Sequence, residues 1–224
     1  QVVKAMAEEG IPGLSFEVTT VIYGGRKLVD HWRLGTQNIV KQHTLTVDEQ
    51  KATIAALEKA LAENAKDNYA KSALSRHRRF LEELESHRDP WDIVVLQSYR
   101  DDVGIDGKPS LYAQYAPKFA ELILAQGGRV VLYETSPTTQ NAEGLKAAPD
   151  PAPVLEKERA IATLADQVDA SVAPMSIIAL KCQTERPELT LRFINDAHLN
   201  HTMAYLTACA LYAAIFERSP QGLA

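Results

Sequence analysis

An acid and a histidine stand close together near the carboxyl end of the chain. Asp196 and His198 are two residues apart in a polar stretch, and an apolar helix is expected directly after it, over Thr202 to Phe216. A carboxylate beside an imidazole can fix the tautomer of the ring and stabilise its charged form, so that the ring acts as a general base. Loops held by a rigid element often carry catalytic side chains. The alternative to a catalytic pair is an ordinary polar loop, in which an Asp or Asn caps the next helix.

Two apolar stretches earlier in the chain are followed by glycines or polar residues. The stretch from Phe16 to Ile22 is followed by Tyr23-Gly24-Gly25, and the stretch from Trp91 to Leu96 is followed by Gln97-Ser98. Both stretches are rich in β-branched and other apolar residues, which predicts strands. Ligands of α/β proteins bind beyond the carboxyl ends of such strands. Taken alone, the glycines are equally consistent with a plain turn, and Gln97 with a polar side chain that bonds backbone.

Taken in chain order, these segments resemble the SGNH (GDSL-like) hydrolase superfamily of esterases, in particular a little-characterised bacterial branch. Further motifs contribute to the resemblance: His31-Trp32, Arg186 to Leu189, Ala204 to Cys209, and Phe216 to Leu223. The resemblance covers most of the chain and is least clear from Thr46 to His87. It implies a serine esterase that removes acyl groups, such as acetyl, from a carbohydrate or another small ester.

The resemblance assigns His198 as the general base. The acid of the family usually lies three residues before the histidine, where this chain has Asn195, whereas Asp196 lies two residues before it. Either Asp196 orients the ring or Asn195 holds it through a neutral hydrogen bond, and we favour Asp196. Loss of a charged partner would weaken stabilisation of the imidazolium.

The resemblance also implies an oxyanion hole and a substrate surface. The N–H of Gly24 or Gly25 would donate to the oxyanion, and Gln97 would replace the asparagine of the family, since its amide can donate in the same way. The residues expected to contact the substrate are His31, Trp32 and Tyr99, with Trp32 as a stacking surface for a sugar. A surface histidine and a partly buried tryptophan are the simpler interpretation of the first two.

The serine nucleophile of the superfamily ends the first strand and precedes the first helix. This sequence starts inside an expected helix, Gln1 to Glu9. We therefore expect the first strand and the serine to lie upstream of Gln1. His198 and His201 could share a helical face, but no third ligand motif accompanies them, so neither a metal nor another cofactor is expected.

Strands that alternate with helices predict a parallel sheet covered on both faces. With the upstream strand, the order is that of a flavodoxin-like three-layer sandwich, in a single domain over residues 1–224 with a helical insertion around 47–87. His77 and His87 fall among charged residues of this insertion and are expected to be solvated. The predicted strands of the sequence itself are Leu14 to Tyr23, Ile93 to Leu96 and Arg129 to Tyr133, and Ser171 to Ile177 is predicted to be a short strand or an extended segment.

Composition narrows the function classes. The chain has 224 residues, 46% of them hydrophobic, which suits one α/β domain. Its net charge of −5 argues against nucleic acid as a partner. No apolar run approaches the roughly 20 residues that span a bilayer.

A small ester or carbohydrate is the expected partner. A non-catalytic carbohydrate-binding protein, or a partner-binding domain that uses the helical insertion, is the alternative. Oligomeric state and compartment stay open, with secretion or a periplasmic location included.

Overall fold

The computed structural model describes residues 2–86, 88–99, 110–134, 140–196 and 198–223. The strands are β1 (Ile93–Gln97), β2 (Arg129–Tyr133) and β3 (Ala170–Ala173). The helices are α1 (Val2–Gly10), α2 (Leu28–Arg33), α3 (Thr36–Val40), α4 (Val47–Glu63), α5 (Asn68–Glu82), α6 (Leu111–Leu124), α7 (Ala152–Gln167), α8 (Met175–Glu185) and α9 (His201–Phe216), with a 3₁₀ turn at Leu84–Ser86. In this part of the chain, no helix has the length and apolar character that crossing a bilayer requires.

The three strands form one parallel sheet in the order β1-β2-β3. Successive side chains of a strand point to opposite faces, and β2 is apolar on both. Val130 and Leu132 pack in a core cluster with α6 and α7, whereas Val131 packs with α8 and α9. Helices therefore cover both faces of the sheet, which confirms the predicted mixed α/β architecture with a parallel sheet.

Side-chain caps fix where several helices begin. Thr46 accepts a hydrogen bond from the N–H of Glu49, and the Glu49 carboxylate accepts the N–H of Thr46 at 2.9 Å, which is a capping box for α4. Asp67 caps α5 in a similar way. At α9 the cap is Asn200, whose side chain accepts from the N–H of Met203 at 3.2 Å. These contacts satisfy N–H groups that have no partner inside the helix.

The prediction of a strand over Leu14 to Tyr23 is wrong, because this segment pairs with none of the described strands. It is held by side chains instead. Phe16 packs edge-on against Phe216 of α9, and the carbonyl of Thr20 accepts a hydrogen bond from Arg76. A β-branched pattern favours an extended backbone, but a ladder also needs a neighbouring strand within hydrogen-bond distance.

The predicted helical pair is present as α4 and α5, which pack against each other. The prediction that His77 of α5 is solvated is wrong, because this side chain is fully buried. Gln50 donates to His77 Nδ1 at 3.1 Å, and His77 Nε2 donates to the carbonyl of Leu34 at 2.9 Å. Burial lowers the pKa of His77, so the ring is neutral and links α4 and α5 to the chain after α2. His87 lies outside the described residues.

Gly35 makes the buried histidine possible, and this gives a stability prediction. Its φ is +83°, and a Cβ there would lie 2.5 Å from the Thr53 methyl group and 2.6 Å from His77 Nε2. Gly127 is a matched control, because its φ is +81° but a Cβ would meet nothing within 4 Å. Left-handed backbone costs an L-residue roughly 1–2 kcal/mol.

We therefore expect Gly127→Ala to lower the free energy of unfolding by about 1–2 kcal/mol and Gly35→Ala to lower it clearly further, measured by urea unfolding. Equal losses in the two variants would contradict the packing described around His77.

Candidate functional site

The loop before α9 lies at the carboxyl edge of the sheet. Arg129, the first residue of β2, donates to the carbonyl of Ile215 at the end of α9, at 2.6 Å. Tyr133, the last residue of β2, hydrogen-bonds to Thr207 in the second turn of α9. Helix α9 therefore runs antiparallel to β2 and starts at the edge where the strands end. Gln97, the last residue of β1, lies at this same edge.

Asp196 and His198 are in contact. One carboxylate oxygen, Asp196 Oδ1, lies 2.5 Å from His198 Nδ1 and accepts the backbone N–H of His198 at 2.9 Å. These hydrogen bonds, the backbone one foremost, lower the pKa of Asp196. A charged carboxylate can only accept, so in the neutral ring Nδ1 carries the proton and Nε2 has the free lone pair. This is the tautomer that a general base needs.

The pair is open to solvent, with the His198 side chain 86% and the Asp196 side chain 50% exposed. Asn195, the alternative partner of the ring, has a φ of +56° and shapes the turn. Left-handed backbone of this kind is tolerated by asparagine better than by most residues. The ring of His198 therefore contacts Asp196, two residues before it, in the structure.

Asn141 anchors the loop that carries this pair, and the sequence analysis missed it. Its carbonyl accepts the N–H groups of Leu191 and Arg192 at 2.9 and 3.1 Å. Its buried side chain donates to the carbonyl of Leu189 at 2.9 Å and accepts from Gln183 of α8 at 2.8 Å. No local pattern could have identified Asn141, because all these partners are distant in sequence.

A second asparagine closes the loop from the other side. Asn200 donates to the carbonyl and the hydroxyl of Thr190 at 2.7 and 2.9 Å while it caps α9. A bridge between Arg192 and Leu199 joins the two limbs of the turn. The helix-capping role that was an alternative for this polar stretch thus belongs to Asn200, which leaves the carboxylate of Asp196 for the ring.

The predicted oxyanion residues belong to two elements, the Gly24-Gly25 turn and the end of β1. Gly24 and Gly25 form an exposed turn closed by a hydrogen bond from Arg26 to Tyr23, and Gly25 has a φ of +68°. A Cβ on Gly25 would lie 3.8 Å from the ring of Tyr99, two residues beyond β1. Within the described residues, no side-chain hydrogen bond joins Gln97 or either glycine to His198. Their roles stay predictions.

His31 and Trp32 both lie on α2. His31 Nδ1 is 3.2 Å from the hydroxyl of Thr36, and burial lowers the pKa of His31 to about 4, so the ring is neutral. Trp32 packs edge-on against Phe119 and Tyr115 of α6, with ring centroids 5.2 and 6.2 Å away. These contacts fasten α2 to α6, and contact with a substrate remains a prediction for both residues.

Other potential reactive groups do not join this site. A groove of about 590 Å³ lies beside α5, and none of the predicted site residues lines it; among its lining residues are Thr19, Val21, Gln42, Arg76, Phe80 and Trp91. The part of the chain that the structure describes contains no cluster of three His, Cys, Asp or Glu side chains suited to a metal ion. Burial raises the pKa of both thiols, Cys182 and Cys209, which disfavours a cysteine nucleophile.

Comparisons of the chain with protein-family models, with curated proteins and with solved structures gave no significant match.

The anchoring role of Asn141 can be tested by truncation. Asn141→Ala leaves the amide of Gln183 and the carbonyl of Leu189 without this partner, and an unsatisfied buried polar group costs about 1–3 kcal/mol. We expect a loss of that size in urea unfolding and faster amide exchange at Leu191 and Arg192. The exposed neighbour Gln140 is the control, since Gln140→Ala should stay within about 0.5 kcal/mol of the parent. A loss in Asn141→Ala no larger than in the control would refute the anchor.

Proposed function

We propose that this protein is a serine esterase of SGNH type that removes acyl groups from a carbohydrate or another small ester. The contact between Asp196 and His198, at the carboxyl edge of a parallel sheet, is the observation that carries the proposal. The carboxylate holds His198 with Nε2 free to take a proton from a nucleophile. A hydroxyl nucleophile is weak without such a base.

The nucleophile of this proposal belongs on a further strand beside β1. Thr19 and Val21 line a groove together with Trp91, just before β1, and a Cβ on Gly25 would lie 3.8 Å from the ring of Tyr99, just after it. We infer that one more strand fits between the segment from Leu14 to Tyr23 and β1, and we call this place the strand gap. Apolar side chains are exposed on both of its flanking segments, Val18 and Ile22 on one and Val95 on the other.

Helix α1 packs on α9, since Met6 and Ala7 share a core cluster with Ala208 and Tyr212. In the proposed arrangement, a parallel strand in the strand gap precedes α1. The sheet would then have the flavodoxin-like order of the proposal, with the serine at the end of the added strand.

The reaction then follows ordinary acyl transfer. The serine oxygen attacks the ester carbonyl while His198 takes its proton, and the N–H of Gly24 or Gly25 with the amide of Gln97 stabilises the oxyanion. His198 returns the proton to the leaving alcohol, and the acyl group stays on the serine. Water, activated by the same ring, then releases the acid and restores the enzyme.

The second candidate is a non-catalytic carbohydrate- or partner-binding protein on the same fold. The openness of the Asp196–His198 pair favours it, because catalytic groups act most strongly where water is excluded.

Removal of the general base tests the proposal. A chain that includes the proposed strand and serine should hydrolyse p-nitrophenyl acetate, and His198→Ala should lose about 10²–10⁴-fold in rate, as is typical of general-base catalysis. His43→Ala is the control, because His43 is exposed and bonds the carbonyl of Arg88 instead. Absence of hydrolysis across short acyl chains, or a full rate in His198→Ala, would leave only the binding function.

The identity of the acid has its own test. Asp196→Asn removes the charge that orients His198, so kcat should fall by at least about tenfold with little change in KM. Asn195→Gly keeps the left-handed turn and removes only the side chain, so the rate should hold. The opposite pattern in the two variants would make Asn195 the partner of the ring.

A further inference from the structure

A buried ion pair lies just beyond the carboxyl end of β2, and the proposed function does not use it. The side chains of Glu134 and Lys157 are both fully buried, with Lys157 Nζ 3.5 Å from Glu134 Oε1. At the start of α8, Ser176 donates its N–H to Glu134 Oε2 at 2.6 Å and its hydroxyl to Oε1 at 2.7 Å. Glu134 thus ties α7 and α8 to the end of β2.

A second carboxyl group joins this ion pair. Glu158 follows Lys157 on α7, hydrogen-bonds to the Glu134 carboxyl group, and accepts the N–H of Ile177 at 3.2 Å. Two carboxyl groups can hydrogen-bond to each other only if one of them carries a proton, since two carboxylates have acceptors alone. Among the described residues, Lys157 is the cation in contact with this pair and balances one negative charge, and a second charge would lie, half-buried, beside the first.

We propose that Glu134 and Glu158, the carboxyl pair, share one proton and so form a pH-dependent contact that holds the start of α8 against β2 and α7. While the proton is present, each carboxyl group accepts a backbone N–H of α8 and the pair carries a single charge matched by Lys157. When the proton leaves, two carboxylates face each other and repel, and the start of α8 separates from the end of β2.

The charges around the pair set the pH range. Burial, and next the negative charge of Glu134, raise the pKa of Glu158 from 4.5 to about 8. A raised pKa means that the folded protein binds this proton more tightly than the unfolded chain. The stabilisation of the folded protein by this proton is therefore complete below about pH 4.5, and it is lost as the pH rises through about 8.

The other groups that face the pair do not titrate in this range. From β2, Tyr133 is the neighbouring acid; burial raises its pKa above 10, a bond to Thr207 partly offsets this, and the charge of Glu134 adds to the rise. From α7 the facing cation is Lys157, and from α8 the facing groups are the Ser176 hydroxyl and two backbone N–H groups. Among the described residues, the proton of the carboxyl pair is thus the one that changes near pH 8.

The position of α8 extends the effect beyond the pair. Helix α8 carries Gln183, which bonds the side chain of Asn141, the anchor of the Asp196–His198 loop. Movement at the start of α8 is therefore connected to that loop through one helix and one hydrogen bond.

Urea unfolding between pH 4.5 and 9.5 tests the stability effect. Glu158→Gln cannot ionise, and its amide can still donate to Glu134. We expect the parent to lose stability relative to Glu158→Gln as the pH rises, so that the variant has the higher unfolding midpoint above pH 8. Glu156→Gln, on the exposed side of α7, should follow the parent at every pH. Parallel pH profiles of the parent and Glu158→Gln would overturn the proposal.

Amide exchange in the parent protein tests the local separation and does not depend on how the variants fold. After correction for the intrinsic pH dependence of exchange, protection of the Ser176 and Ile177 amides should fall between pH 6 and 9 while that of Val131, in the middle of β2, holds. Protection at Ser176 and Ile177 that stays constant relative to Val131 would show that the pair does not control this contact. Neither experiment measures esterase activity. A protein without esterase activity could therefore still show the pH-dependent contact of the carboxyl pair.

Discussion

Burial of β2 on both faces is the constraint on which the rest of the structure depends. Val130, Val131 and Leu132 are almost completely buried, so helices must lie on each side of the sheet. Since the strands are parallel, each helix returns the chain to the opposite edge, and the polar residues that follow the strands collect at one edge. The Asp196–His198 pair and the carboxyl pair both lie there for this reason.

Two buried polar residues organise that edge in similar ways. Asn141 bonds the backbone of the loop from Leu189 to Arg192 and the side chain of Gln183 of α8. Glu134 accepts from Ser176 of α8 and pairs with Lys157 of α7. A buried amide or carboxylate is stabilising only when its hydrogen bonds are satisfied, so each residue fixes the relative position of the segments it bonds. Helix α8 consequently links the carboxyl pair to the loop that carries Asp196 and His198.

Local patterns predicted the helices, the strands β1 and β2, and the Asp196–His198 contact, because each depends on residues that are close in sequence. The extended segment from Leu14 to Tyr23 was misassigned to the sheet because pairing depends on a neighbouring strand that local sequence does not specify. His77 was misjudged because its charged neighbours face solvent while it faces α4. Asn141 and the carboxyl pair depend on tertiary contacts, which no motif reports.

The exposure of His198 determines what the proposed esterase site would need for catalysis. The contact with Asp196 sets the tautomer and the direction of the ring, and this requires no burial. Stabilising an oxyanion does require low dielectric, because the same dipole acts far more weakly in water. A strand in the strand gap would bring both a nucleophile and apolar cover to the edge where Gln97 and the glycines lie. In the proposed esterase, the orientation of the base would therefore be a local property of one loop, whereas the exclusion of water would depend on a strand in the strand gap.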